Sequence, residues 1–257
     1  MKEKPLILAV ETSSRIGSVA IALNGKTLGE TVFSAPLRHS AEIFPAIRAL
    51  LSQFNFHTSQ IQHIYISGGP GSFTGLRIAT TIAKIMQLAQ AVKIVTVDTL
   101  DVVAANVINL IPDDSLIASK QIPPAISAER IAAILDAKRG QFFIAIYERD
   151  KKNEKPNVAG RSIWRKILLD CLMTASQFLD RFTSDAKPIW LLGDGLLYYK
   201  EKFQADNVRF FDEKYWSPRA SKILLLGSQM ALKEQFADAL TLTPNYLRKP
   251  DVTIKTL

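Results

Sequence analysis

The chain has 257 residues, 47% of them hydrophobic and 22% charged, with 32 Lys and Arg against 24 Asp and Glu for a net charge of +8. These proportions exclude a disordered chain and fit one large domain or two small ones. A lone cysteine, Cys171, excludes an intrachain disulfide framework and a cysteine-rich zinc site. No apolar run approaches the roughly 18 residues of a membrane helix, and Leu6–Val10 is broken too soon by Glu11 for a signal peptide. The expectation is a soluble, cytoplasmic protein. The positive excess is spread evenly, +3 over residues 1–104, +3 over 105–170 and +2 over 171–257, so there is no basic arm. The densest basic stretch, Arg149, Lys151, Lys152 and Lys155, is interleaved with Asp150 and Glu154 and reads as a solvated hairpin or loop.

In chain order, Leu6–Val10 is a buried strand, and Ser18–Leu23 alternates as a second. Asn24-Gly25 turns it into a third strand, Lys26–Phe33. The period then changes: Ile43, Phe44, Ile47, Leu50, Leu51 and Phe54 share one face of a helix over 40–54, with Pro45 near its start. A strand over Ile61–Ser67 runs into Gly68-Gly69-Pro70-Gly71, a helix follows to Ala89, and Lys93–Val97 is the next strand. This is a right-handed parallel crossover. Thr99–Leu110 is helical. The Pro-rich stretch 111–127 marks a boundary between lobes. Beyond it the pattern predicts strands at Ile131–Leu135 and Gln141–Tyr147 around Lys138-Arg139-Gly140, and an amphipathic helix over Trp164–Phe182 that carries Cys171 on its apolar face. A strand at Ile189–Leu192 ends in Gly193-Asp194-Gly195. A short strand at Val208–Phe211, a helix over Pro218–Phe236 and an extended tail from Pro244 follow. No sequence repeat is evident.

A three-stranded meander followed by strands joined through helices has the order of the ribonuclease H-like unit, so the fold class is α/β, with two lobes facing a cleft. The first lobe is placed at 1–104, a shortened second lobe at 105–217 and a tail at 237–257, with helix 218–236 packing back on the first lobe.

Two segments have the residue types of a phosphate cradle. One is Glu11-Thr12-Ser13-Ser14, where Thr12 and Ser13 offer hydroxyls and backbone N–H groups, although a plain polar turn is equally consistent. The other is Gly68–Arg77, where Gly71 and Ser72 open a helix after a strand. It lacks a Walker A pattern, and it has Thr74 where a dinucleotide fingerprint needs its third glycine. Gly193 beside Asp194 is a third candidate for a nucleotide cleft, though such triplets are more often turns. Helix 74–89 is apolar nearly all round, which fits either a second layer of its own fold or a subunit interface. His39, His57 and His63 have no second ligand at metal spacing, and no nucleophile elbow is present.

Several blocks carry a resemblance: Ile7–Ser14 with Ser18-Val19-Ala20; Arg38-His39-Ser40-Ala41-Glu42; Ser67-Gly68-Gly69-Pro70-Gly71-Ser72-Phe73-Thr74-Gly75-Leu76-Arg77-Ile78; Leu135–Gly140; and Tyr246-Leu247-Arg248. On these the chain resembles the bacterial TsaB (YeaZ) family. The resemblance implies an actin-like ATPase (ASKHA) fold without its own catalysis, in a subunit that pairs with the threonylcarbamoyltransferase TsaD. The product is N6-threonylcarbamoyladenosine at adenosine 37 of tRNA. The ATPase TsaE joins the complex, tRNA is met through it, ATP or ADP enters only at that level, and a homodimer forms without TsaD. The resemblance implies no metal here, because TsaD's His-x-x-x-His pair is reduced to His39 with Ile43 at the second place. It places pairing on the first lobe's two helices, through His39, Ile43, Ile47, Leu50, Arg77, Ile78, Thr81, Ile82 and Ile85. The rival readings are a small-molecule kinase of the same fold, with Glu11 or Asp136 as its acid, a metallopeptidase and a nicotinamide-dependent dehydrogenase.

Overall fold

The computed structural model describes residues 5–36, 38–108, 128–150, 164–185 and 187–248. The Pro-rich stretch, Lys151–Lys155 and the end of the tail lie outside these residues.

The first sheet holds β1 (Leu6–Glu11), β2 (Ser18–Leu23), β3 (Lys26–Val32), β4 (Ile61–Gly69) and β5 (Lys93–Asp98), in the order β3-β2-β1-β4-β5. Asn24 and Gly25 both take positive φ, the condition for a two-residue hairpin whose twist matches its strands. β1 pairs antiparallel with β2 and parallel with β4, and β4 parallel with β5. Helices α1 (His39–Gln53) and α2 (Phe73–Gln90) are the crossovers. Ser72 caps α2 by accepting from Gly75 N at 3.4 Å, and Ala91 ends it in the left-handed region. Pro45 falls in the second turn of α1, not the first, so the helix forgoes one backbone bond there.

α3 (Thr99–Ile108) is buried on nearly all sides and leads out of the first sheet. The second sheet holds β6 (Arg130–Asp136), β7 (Gln141–Arg149), β8 (Trp164–Thr174), β9 (Ile189–Leu192) and β10 (Val208–Phe210), in the order β10-β9-β6-β7-β8. Numbered within its own half, this is the first sheet's order again: two antiparallel strands to one side of the founding strand and two parallel strands to the other. The second sheet therefore keeps all five strands; what is shortened is its helices. A duplicated five-stranded unit of this order, with helices against each sheet, is the actin-like ATPase fold.

One predicted element is wrong. Trp164–Phe182 is not a single helix: Trp164–Thr174 is an edge strand and only α4 (Ala175–Phe182) is helical, capped by Thr174 and Gln177. Ile167 and Leu169 face outward and are exposed, which hid the two-residue alternation. Cys171 accordingly sits on a strand, donating to Ile144 O at 3.4 Å. Arg149, read as part of a solvated loop, is the buried last residue of β7.

α5 (Ala220–Leu232) returns to the first sheet, where Ala220, Ile223 and Leu224 pack with Ile7, Ala9, Tyr65 and Val95. Ala220 N donates to Ser18 Oγ at 2.9 Å, and Ser221 to Glu30 through both its N–H and hydroxyl. The chain then runs over both lobes: Ala239 and Leu242 join the first core, Asn245 N donates to Gly68 O at 2.7 Å, and Leu247 packs against the second core.

Candidate functional site

The turn between β1 and β2 ties the lobes together. Glu11 ends β1 with no exposure; one carboxylate oxygen accepts from Ser13 N at 2.6 Å and from the Ser13 hydroxyl, the other from the Ser67 hydroxyl. Burial pushes its carboxyl up, against the pull of those hydrogen bonds. With both oxygens engaged inside the lobe, Glu11 offers nothing to the cleft. Ser14 Oγ donates to Asp194 Oδ2 of the second lobe at 2.5 Å, and Arg15 N reaches the same oxygen at 3.4 Å. Burial raises Asp194 also, offset in part by Ser14.

Beside these contacts lies a cavity of about 670 Å³. Ser13, Gly71 and Ser72, predicted for it, line it; Thr12 and Gly193 do not. Thr12 is buried and donates its hydroxyl to Gly75 O at 2.7 Å, and Gly193 is pressed so close to β6 that a Cβ would stand 2.0 Å from Ile134 O. The glycines of the Gly68–Gly75 block serve close approach within the chain. A Cβ on Gly71 would meet Ser13 O at 2.4 Å, and one on Gly75 would meet Thr12 O at 1.7 Å. The backbone of this block is packed on the β1–β2 turn, while Gly71 and Ser72 still face the cavity.

The cleft's other walls come from residues that sequence reasoning gave no place in it. Lys138 and Arg139 of the β6–β7 turn, Arg15, Tyr198, Tyr246 and Arg248 all line it. Lys138 Nζ pairs with Asp136 at 2.7 Å, Arg15 lies over the Tyr198 ring at 4.9 Å, and Arg248 Nη1 donates to Ala137 O at 2.7 Å. Tyr246 lies 4.9 Å from Phe73, whose ring Arg77 covers at 3.8 Å. The blocks Leu135–Gly140 and Tyr246-Leu247-Arg248 were visible as family anchors, but their meeting across the cleft depends on the fold.

A further tie between lobes centres on Lys166, whose ammonium reaches Asp101 at 2.7 Å, Asp98 at 3.7 Å, and Asp170. Burial pulls Lys166 down, but Asp101 and Asp170 outweigh it and hold it above its usual range. The ammonium takes the place between the three carboxylates.

The second feature is the outer face of α1 and α2. Of the nine predicted interface residues, His39, Ile43 and Leu50 are buried in the lobe, and Ile47 and Ile82 form the floor of a groove of about 270 Å³. Ile85 stands at its rim, 59% exposed, with Arg77 and Thr81 exposed and Ile78 half-buried on the same helix. Phe44, missing from the expected set, is 60% exposed at the opposite rim, and Leu88 is 71% exposed a turn beyond Ile85. The helical repeat marks the apolar stripe but cannot say which side of it faces out.

His39 Nε2 lies 2.9 Å from Ser14 O. A carbonyl only accepts, so this nitrogen carries the proton. Burial lowers the ring below its usual range, and Ile43 lies in the core. These two positions do not fit a metal ion.

A family model described as "TsaD: tRNA N6-adenosine threonylcarbamoyltransferase" matches residues 34–256. The chain belongs to this family. Its curated relatives carry the TsaB name, which sustains the resemblance to the TsaB (YeaZ) proteins. The tRNA threonylcarbamoyladenosine biosynthesis protein TsaB of Bacillus subtilis is 25% identical over 97% of this chain and 96% of its own. That of Escherichia coli is 23% identical over 94% of each. In fold, the chain is similar to YeaZ from Pseudomonas aeruginosa, with a TM-score of 0.73 and 23% identity over 95% of this chain and all of that one. Among the described residues no helix is long and apolar enough to cross a membrane.

Proposed function

We propose that this protein is the cytoplasmic, non-catalytic partner subunit of a TsaD-type enzyme, holding that enzyme active while it forms N6-threonylcarbamoyladenosine at adenosine 37 of tRNA. The observation that carries this reading is the exposed apolar face of α1 and α2. Phe44, Ile85 and Leu88 stand out around a groove floored by Ile47 and Ile82. Covering these three large apolar side chains would remove their surface from water, a favourable contribution of about 25 cal/mol per Å² toward a contact. Without TsaD, the same face pairs with a second copy. A TsaE-type ATPase joins the assembly, and ATP or ADP acts at that level.

The acids support a non-catalytic role. Glu11 is closed off by Ser13 and Ser67, Asp194 receives Ser14, and Asp136 is paired with Lys138. A kinase of this fold needs such an acid to hold hydrated metal. The partner acts by differential binding: contact along α1 and α2 favours the active conformation of the enzyme. The test is reconstitution. Threonylcarbamoyl transfer to tRNA by TsaD should require this protein, and should survive Glu11→Gln. A loss of a hundredfold or more in that variant, with the complex still assembled, would assign the chain a catalytic acid and end the reading.

A further inference from the structure

The cations of the interlobe cleft lie apart from the groove between α1 and α2. Arg15 comes from the β1–β2 turn, Lys138 and Arg139 from the β6–β7 turn, and Arg248 from the C-terminal segment, yet all four line one cavity with Tyr198 and Tyr246. Two acids line it as well. Asp194 is buried against Ser14, and Asp136 is held by Lys138. Arg15 meets a ring and Arg248 meets backbone carbonyls, and among the described residues neither charge is paired with a carboxylate. Tyr198 carries Arg15 over its ring and is still 67% exposed at the mouth.

Rings for stacking, interleaved with cations that follow a backbone, are what unpaired nucleic acid requires. A metal-bound free nucleoside triphosphate fits less well, because the acids are engaged and the glycine loop is packed against Ser13 and Thr12. We propose that this rim is a direct contact surface for single-stranded RNA, the unpaired loop of the tRNA substrate. Bases stack on Tyr198 and Tyr246, and phosphates lie against Arg15, Arg139 and Arg248. The proposal rests on the tRNA-modifying role above and adds that this chain itself touches the RNA.

The experiment uses the full chain, alone and with its TsaD partner, and a fluorescently labelled anticodon stem-loop RNA read by anisotropy across a salt series. AMP and ATP serve as competitors. The double variant Arg15→Ala/Arg139→Ala should bind at least tenfold more weakly at low salt. Its salt slope should be shallower by about 1.4, because each of the two phosphates left without a cation accounts for about 0.7 on a single strand. Tyr198→Ala should bind about tenfold more weakly with the slope unchanged, because stacking releases no counterions. Thermal midpoints and association with TsaD should match wild type in both. RNA affinity equal in wild type and variants, no RNA binding, or AMP or ATP binding in its place would each overturn the proposal. If the wild-type chain fails to associate with TsaD, it is the proposed function that fails; if association holds and RNA binding does not, only this inference does.

Discussion

The two lobes share one strand order and differ in what they hang on it. In the first, helices of 15 and 18 residues cross between strands and present Phe44, Ile85 and Leu88 to solvent. In the second, the crossover is the eight-residue α4, and short turns supply Lys138, Arg139 and Tyr198 to the cleft. One topology thus yields an exposed apolar face in one half and cationic turns at the cleft in the other. Function here lies in the connections, because the strands of both halves are spent on core and pairing.

The largest effect should come from placing a charge on the first lobe's exposed face. Phe44→Asp or Ile85→Asp should weaken association with TsaD by a hundredfold or more and leave the thermal midpoint within a few degrees, since both side chains already stand in water. Ile82→Asp should differ in kind: Ile82 is part of the core, so its charge would be buried and the lobe itself destabilised. Urea titration separates the two effects.

Next in size is the seam beneath the cleft. Gly75→Ala puts a Cβ into Thr12 O and should cost roughly 3 kcal/mol or more by urea unfolding, because backbone must move on both sides. Ser14→Ala leaves buried Asp194 without its hydroxyl donor and should cost about 1–3 kcal/mol. Faster amide exchange should be confined to the β1–β2 turn and residues 193–197. If exchange rises evenly across both sheets, the contact is not a seam.

The smallest effect is the pH response. Burial lowers His39 and His63, so each contributes stability that is present above the unfolded imidazole value near 6.5 and lost as pH falls through the lower folded value. Glu11 and Asp194 have the opposite sign: raised in the fold, they favour it more as pH falls through their folded values. His39→Asn, which keeps a donor for Ser14 O, should flatten the loss of stability below pH 6.5 in urea titrations at several pH values. An unchanged pH profile in that variant would remove His39 as a source of the response.

Much of this was legible in the sequence. The meander, the hairpin at Asn24-Gly25, both long helices and the strand after each follow from periodicity and turn residues, which are local properties. The failures are all non-local. β8 was hidden by Ile167 and Leu169, apolar residues on the open face of an edge strand. No local signal in the glycine block shows how closely Gly71 and Gly75 approach Ser13 and Thr12. Ile43, Ile85 and Phe44 all read as apolar helix positions, and only packing tells which of them the core takes. Asp194, between Gly193 and Gly195, was readable as a cleft candidate and does line the cavity, whereas Gly193 packs on β6 instead.

Docking through α1 and α2 is decided by co-expression with the TsaD of the same organism, followed by size-exclusion chromatography with light scattering. Wild type should form a stable one-to-one complex, and the two proteins should run as separate species when Phe44→Asp and Ile85→Asp are combined in a chain that still folds. A complex that withstands the charged pair, or no complex with wild type at all, would contradict it.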